Sequence, residues 1–165
     1  MKLDLSNIRR NFQQQGLHRK DLSKDPITQF YKWFDDVIKF KLLEPNAMIL
    51  ATANDDIIDI RTVLLKYFDN KGFVFFTNYT SNKSLQIKKR AQASLLFSWL
   101  DLERQVKIIG KVEKINNEES SKYFSQRPKK SQIAALASKQ STIIAAKDIL
   151  LKRFDYLEKK FTDNE

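Results

Sequence analysis

The sequence of 165 residues contains no cysteine, a single histidine (His18) and three glycines. Without cysteine there is no disulfide scaffold, no thiol nucleophile and no Cys-ligated zinc or iron–sulfur site. One histidine argues against histidine-rich metal clusters and against Ser-His-Asp hydrolysis. The glycines are too scattered for a GxGxxG motif or a P-loop, so a nucleotide phosphate would need another binding device.

Long apolar runs are also missing. No segment approaches the ~20 apolar residues that a membrane span requires, and the N-terminal MKLDLSNIRRNF lacks the apolar stretch of a secretory signal. Together with the absence of cysteine, these features predict a cytoplasmic protein without a membrane partner. The length predicts one domain, and 42% hydrophobic residues are enough for a buried core.

Positive charge is abundant and unevenly distributed. The formal net charge is +10, and residues 81–165 hold 18 basic against 10 acidic residues. A basic half indicates an anionic partner, such as a phosphorylated small molecule, a nucleic acid or a membrane surface, although a solvated basic surface explains the charge equally well. A nucleic acid is the least favoured partner, because Phe73, Phe75 and Phe76 fit the alternation of a buried sheet.

Hydrophobic spacing places helices at both ends of the chain and strands between them. Residues 1–24 form a polar, basic arm, and Asp25-Pro26 begins a helix that runs to about Leu43. The predicted strands cover residues 47–53, 57–68, 73–77, 94–99 and 104–115. The later predicted helices cover residues 83–90, 117–127, 131–137 and a last segment, capped by Ser141 or Thr142, that ends near Phe161. This order predicts an antiparallel barrel with helical additions, since no βαβ rhythm supports a parallel sheet.

Two polar clusters in the strand-rich half could bind an anion. Arg61 and Lys66 lie on opposite faces of a predicted strand, where a cation among apolar residues either meets an anion or extends to the barrel rim. Lys83 follows a run of hydroxyl and amide side chains at a loop-to-helix junction. Free N–H groups favour a phosphate there, although ordinary helix capping explains the same residue types.

Two further clusters lie in the helical half. Tyr123, Arg127 and Ser131 are spaced along one side of a helix, and an arginine fork with two hydroxyls suits a phosphate monoester. Residues 138–141 could close over a phosphate at the start of the last helix. A surface helix and a simple helix cap are the alternatives for these two clusters.

Several strings, taken in order, resemble the pyridoxine/pyridoxamine 5′-phosphate oxidase family. They are GLHRKDLSKDP (16–26), RTVLLK (61–66), FFTNYTSNKSLQI (75–87), LERQVKIIGKVEKI (102–115) and YFSQRPKKSQIAALASKQS (123–141). The resemblance covers nearly the whole chain. It implies an FMN-binding split β-barrel, mostly β with N- and C-terminal helices, and a homodimer with the flavin at the subunit interface.

The resemblance also implies roles for individual residues. The residues that match cofactor contacts are Arg61, Thr62, Val63, Leu64, Lys66, Phe76, Thr77, Lys83, Gln105, Gln140 and Ser141. Those that match contacts with the substrate phosphate are Lys66, Tyr123, Arg127 and Ser131. The segment around Arg9–Phe12 resembles one that covers the substrate, and no residue is assigned as catalytic.

The reaction implied by the resemblance is oxidation of pyridoxamine or pyridoxine 5′-phosphate to pyridoxal 5′-phosphate. FMN takes a hydride from C4′ of the substrate, and O2 reoxidises the flavin to give hydrogen peroxide. The cofactor supplies the redox chemistry and the protein supplies position. Two phosphorylated ligands in each site are consistent with the excess of cations, and neither a nucleic acid nor a membrane is expected as a partner.

The sequence departs from the family pattern in two places. Asn82 stands where family members often carry an arginine beside the lysine that matches Lys83. Family members also continue into a C-terminal segment with a flavin-contacting tryptophan, an arginine for FMN and an Arg-x-His motif, and no residue here matches those roles. We therefore expect one domain over residues 25–165, truncated at its C-terminus. The alternative is a non-catalytic split-barrel protein that binds FMN or pyridoxal phosphate and has lost turnover.

Overall fold

A computed structural model describes residues 3–9, 11, 16–55 and 57–162 of the chain. Helices flank a central set of antiparallel strands, in the predicted order along the chain. The elements are α1 (Pro26–Lys39), β1 (Ala47–Ala53), β2 (Ile58–Leu64), β3 (Tyr67–Asp69), β4 (Gly72–Val74), α2 (Asn82–Lys89), β5 (Gln92–Trp99), β6 (Arg104–Lys111), α3 (Asn117–Ser125), α4 (Lys129–Ala137) and α5 (Lys147–Thr162), with short 3₁₀ turns at Arg19–Asp21 and Leu100–Leu102.

The first helix begins as predicted and ends earlier than predicted. Asp25 caps α1 by accepting the backbone N–H of Thr28 at 2.6 Å, and Pro26 occupies the first helical position. The helix stops at Lys39 rather than near Leu43. Lys41 and Glu44 have φ angles of 59° and 48°, so the chain reverses through left-handed residues that an α-helix cannot contain.

The predicted single strand 57–68 is wrong, because the chain changes hydrogen-bond partner in its middle. The Leu65 N–H donates to the carbonyl of Asn46, whereas the Lys66 N–H donates to the carbonyl of Val74, each at 2.9 Å. The segment therefore divides into β2, in a four-stranded sheet of order β2-β1-β5-β6, and β3, which pairs with β4 in a separate two-stranded sheet. Lys66 lies at the joint between the two sheets.

The core lies between α1 and the inner face of the four-stranded sheet. Its largest contact centres on Phe30, which meets Phe68, Phe73 and Phe97 edge-on with ring centroids 4.8–5.0 Å apart. The buried hydrophobic cluster consists of Phe30, Val37, Met48, Leu50, Leu65, Leu95, Phe97 and Trp99. Close packing of this kind transmits displacements between neighbouring side chains, so α1 and the sheet are positioned relative to one another by this cluster.

The last helix begins later than predicted. Neither Ser141 nor Thr142 caps it, because α5 starts at Lys147. Ser141 has a left-handed φ of 67°, and the Thr142 N–H donates to the carbonyl of Lys139 at 3.2 Å, so this segment forms a turn instead. The predicted break at Pro128 is confirmed, since Pro128 separates α3 from α4.

The outer face of the sheet carries isoleucines that remain exposed among the residues the structure describes. Ile58 and Ile60 of β2 and Ile109 of β6 are exposed, although strand pairing places them in one contiguous face with the half-buried Ile49 and Leu96. Isolated exposed apolar residues are common, but a face of them marks a contact surface.

No helix in the described part of the chain is both long and apolar enough to cross a membrane.

Candidate functional site

A cavity of about 1070 Å³ lies beside β2, bounded by the 76–83 segment, α3 and the turn between α4 and α5. Its size is slightly above the range of about 300–1,000 Å³ that is usual for small-ligand sites. Among the described residues, four cations line it against one carboxylate, Asp59. Of the residues singled out from the sequence, it is lined by Arg61, Thr62, Val63, Leu64, Lys66, Phe76, Thr77, Lys83, Tyr123, Arg127, Gln140 and Ser141.

Lys83 is a buried cation with neutral hydrogen-bond partners. Only 8% of the residue is exposed, and its Nζ donates to Ser81 Oγ at 3.2 Å and to Gln140 Oε1 at 2.9 Å. Burial, and then the charge of Arg61, lowers the pKa of the Lys83 ammonium, while Asp59 acts in the opposite direction. No carboxylate among the described residues forms an ion pair with this ammonium, and an anion stabilises a buried ammonium, so this end of the cavity favours a phosphate.

Arg61 projects from β2 toward the inside of the barrel. Its strand partner is the fully buried Leu50, and its side chain is 18% exposed. The guanidinium Nη2 is paired with Asp59 at 2.5 Å, and its other partners lie on β1 and α2. Burial of an arginine is unfavourable unless its donors find acceptors, and here they do.

The second group of cations rests on aromatic rings. Phe76 and Tyr123 stack with centroids 3.6 Å apart and planes 8° from parallel, and the Lys66 Nζ lies 5.8 Å from the centre of the Tyr123 ring. Arg127 lies over Phe124 at 5.7 Å. These contacts leave the ammonium and guanidinium donors available to a ligand, because a ring face occupies none of them.

Helix α3 carries Tyr123 to the cavity and is tied to the barrel by a second contact. The Tyr67 hydroxyl on β3 donates to the Glu119 carboxylate in the first turn of α3. Asn116 caps the helix by accepting the Glu119 N–H at 2.7 Å. Both contacts fix the first turn of α3, so the orientation of Tyr123, one turn further along the helix, depends on them.

Two of the expected site residues lie away from this cavity. Gln105 is exposed on the outer face of β6, and Ser131, in the first turn of α4, is half-buried but is not part of the cavity lining. Within the segment 9–12, residues 10 and 12 lie outside the described residues, whereas Arg9 and Asn11 are exposed.

Sequence reasoning missed several residues of the site. Ser120 and Phe124 line the cavity, whereas Ser138 and Asn82, which also line it, belong to polar clusters that the sequence had indicated. Helical spacing from Tyr123 and Arg127 would have pointed to Ser120. Thr52 and Gln86, which hold Arg61, carry no signal in the sequence, because their contact spans 34 positions.

The chain matches known proteins over most of its length. The family model for pyridoxamine 5′-phosphate oxidase matches residues 34–161. The chain is 52% identical to a pyridoxine/pyridoxamine 5′-phosphate oxidase of Vesicomyosocius okutanii, over 100% of its own length and 78% of that relative. It is also 52% identical to a pyridoxine/pyridoxamine 5′-phosphate oxidase of Aliarcobacter butzleri, over 99% of its own length and 77% of that relative.

Two solved structures share the fold. PhzG of Burkholderia lata 383, in complex with tetrahydrophenazine-1-carboxylic acid, superposes with a TM-score of 0.83 at 26% identity, covering 89% of this chain and 74% of PhzG. A pyridoxamine 5′-phosphate oxidase-related, FMN-binding protein of Nostoc punctiforme has a TM-score of 0.59 at 13% identity, covering 78% of this chain and 71% of that protein. These similarities confirm the predicted split-barrel fold with flanking helices, and the match of the family model together with the two relatives shows that the chain belongs to the pyridoxamine 5′-phosphate oxidase family.

Proposed function

We propose that this chain binds FMN and catalyses oxidation of pyridoxamine or pyridoxine 5′-phosphate to pyridoxal 5′-phosphate, with O2 as the electron acceptor. The observation that carries the proposal is one cavity with two separately built groups of cations, Arg61 with Lys83 and Lys66 with Arg127. A site that must hold a cofactor phosphate and a substrate phosphate needs two such groups. The names of the relatives support the same substrates.

The residues around Lys83 fit the phosphate of FMN. Lys83 has a charge that its neutral partners Ser81 and Gln140 do not balance, and Ser141 brings a hydroxyl to the same cavity. An incoming phosphate would offset the unfavourable burial of the ammonium. Thr62, Val63 and Leu64 form one wall of the cavity, which suits the flat flavin ring.

The residues around Tyr123 fit the phosphate of the substrate. Lys66 is exposed and Arg127 half-buried, so both can meet a ligand that enters after the cofactor. The Tyr123 hydroxyl adds a neutral donor. Ser131 would complete this group only if the first turn of α4 approached the cavity on binding, because it is not part of the present lining.

The protein's contribution to the reaction is position. FMN, when bound, supplies the redox chemistry by accepting a hydride from the substrate and passing the electrons to O2. Lys66, Tyr123 and Arg127 would hold the substrate phosphate and so fix the distance between C4′ and the flavin ring. Phe76 and Tyr123 would exclude water from one side of the site. We assign no side chain of the described residues as an acid or base.

A homodimer is part of the proposal, and the open face of the sheet supports it. Ile58, Ile60 and Ile109 are exposed there, and Gln105 lies on the same face. Thr62 belongs to this face and also lines the cavity, so the cavity opens toward the place where a second copy would pack. A second copy could then bring its Gln105 to the flavin of the first.

The experiment is a cofactor and turnover assay on the purified chain. We expect protein mixed with FMN to keep the flavin through gel filtration, to elute at the size of a dimer, and to release hydrogen peroxide when pyridoxamine 5′-phosphate is added. Retained flavin without peroxide would support the non-catalytic alternative. A colourless protein would contradict the whole proposal.

The dimer is tested separately. Ile60→Glu places a charge on the open face of the sheet, and we expect this variant to elute from gel filtration at the size of a monomer.

A further inference from the structure

Two polar side chains are buried where the sheet packs against α2. Thr52 lies on the core-facing side of β1 with Met48 and Leu50 and is 2% exposed, and Gln86 on α2 is 6% exposed. Apolar side chains would fill these positions without the loss of hydration. The Thr52 hydroxyl donates to Gln86 Oε1 at 2.5 Å. Packing alone therefore does not explain why two polar side chains are buried at this place.

The direction of that hydrogen bond is set by Arg61. A guanidinium has donors only, and here Nη1 donates to Thr52 Oγ1 at 2.6 Å while Nη2 donates to Gln86 Oε1 at 3.3 Å. Thr52 must therefore use its own proton on Gln86. Gln86 must present its carbonyl oxygen, since its amide nitrogen would repel the arginine. The three side chains have one compatible arrangement of donors and acceptors.

The remaining partners of Arg61 complete its restraint. Nη1 also donates to the Leu50 carbonyl at 3.2 Å, and Nη2 is paired with Asp59. Both Nη atoms are thus held by two acceptors each, from β1, β2 and α2. A guanidinium held in this way has one orientation, so its positive charge has a fixed position at the cavity wall.

We propose that Thr52 and Gln86 are positioning residues that fix the Arg61 guanidinium at the cavity wall and so strengthen binding of the FMN phosphate. The inference rests on the proposed function, because it takes FMN as the ligand. Thr52 and Gln86 do not touch the phosphate, since neither lines the cavity. They act through Arg61, whose charge reaches the same site as Lys83.

Loss of the Thr52 hydroxyl would release Arg61 on one side. Nη1 would lose its shortest acceptor, and Gln86 would lose the proton that orients its carbonyl. The guanidinium could then follow Asp59, whose side chain is 42% exposed, away from the inside of the barrel. The phosphate would meet a weaker positive potential and bind less tightly.

The test compares Thr52→Val, which keeps the volume and removes the hydroxyl, with Thr52→Ser, which restores it. FMN affinity is measured by quenching of flavin fluorescence in wild type, both variants, Arg61→Met, and the double variant Thr52→Val/Arg61→Met. We expect Thr52→Val to weaken FMN binding about tenfold, and Thr52→Ser to recover most of the loss. In the Arg61→Met background, Thr52→Val should have no further effect.

The outcomes separate this inference from the proposed function. If the wild-type chain does not bind FMN, the proposed function fails. If it binds FMN and Thr52→Val binds equally well, or weakens binding to the same degree with and without Arg61, the positioning role is overturned. Gln86→Met serves as the second variant should Thr52→Val fail to fold, and we expect it to show the same dependence on Arg61.

Discussion

The two groups of cations in the cavity are built in opposite ways. Lys83 is buried, and Arg61 is held by acceptors from β1, β2 and α2. Lys66 is exposed and Arg127 is half-buried, and each lies over an aromatic ring of α3. The difference indicates a preorganised site for a resident ligand beside an accessible site for a ligand that must enter and leave.

The largest effect should come from Lys83→Met. Removal of the buried ammonium should weaken FMN binding about 50-fold, because a charge-assisted contact to the phosphate is lost. The apo protein should become more stable to heat, since an unpaired buried charge is replaced by an apolar chain of similar length. Lys88→Met, at an exposed position of the same helix, is the matched control and should change neither quantity.

Arg127→Met should weaken binding of the substrate rather than binding of FMN. We expect KM for pyridoxamine 5′-phosphate to rise about 30-fold while FMN affinity stays within twofold of wild type, because the substrate phosphate loses its guanidinium partner. Steady-state peroxide release and flavin titration measure the two quantities separately. Lys130→Met, exposed on α4, is the control. An equal loss of FMN binding would show that the two groups of cations are not separate.

The pH dependence of FMN binding should identify Lys83. Its pKa lies below the ordinary lysine value of 10.5, since burial and Arg61 disfavour the charged form. FMN affinity should therefore fall as pH rises through that lowered pKa. The stability of the apo protein should change in the opposite direction. Between the lowered pKa and 10.5, the unfolded chain binds more protons than the folded chain, so the free energy of unfolding should increase with rising pH. Lys83→Arg, charged throughout, should remove the alkaline fall, and an unchanged profile would contradict the assignment.

Tyr67→Phe should give the smallest effect. The change removes the hydroxyl that donates to Glu119 and so loosens the first turn of α3. We expect KM for pyridoxamine 5′-phosphate to rise about threefold, with FMN affinity unchanged, because only the orientation of Tyr123 is affected. Glu119→Gln keeps an acceptor for Tyr67 and should fall between wild type and Tyr67→Phe.

The sequence predicted the parts of the fold that follow local rules. Asp25-Pro26 marks the start of α1, and short apolar runs mark β1 and β5, because a helix cap and a buried strand each depend on residues that are adjacent in the sequence. It did not predict the break at Leu65 and Lys66, since that break depends on carbonyls of Asn46 and Val74. The late start of α5 was missed because capping residues at 141 and 142 were used in a turn instead.

The site shows the same difference between what local sequence predicts and what depends on contacts distant in the chain. Motif resemblance named twelve residues that line the cavity, because motifs preserve the order of contacts along the chain. It did not indicate that Gln105 lies on an open face, which is a property of the strand register rather than of the motif. Nor did it reveal Thr52 and Gln86, whose importance comes from a contact between β1 and α2.

The most direct measurement of the central claim is a comparison of FMN with riboflavin, which has the same ring and no phosphate. Both are titrated into the apo protein and into Lys83→Met, with flavin fluorescence as the signal. If the Arg61–Lys83 group holds the cofactor phosphate, wild type should bind FMN at least about 50-fold more tightly than riboflavin, and Lys83→Met should remove most of that preference. Equal affinity of the wild-type chain for the two flavins would contradict the account.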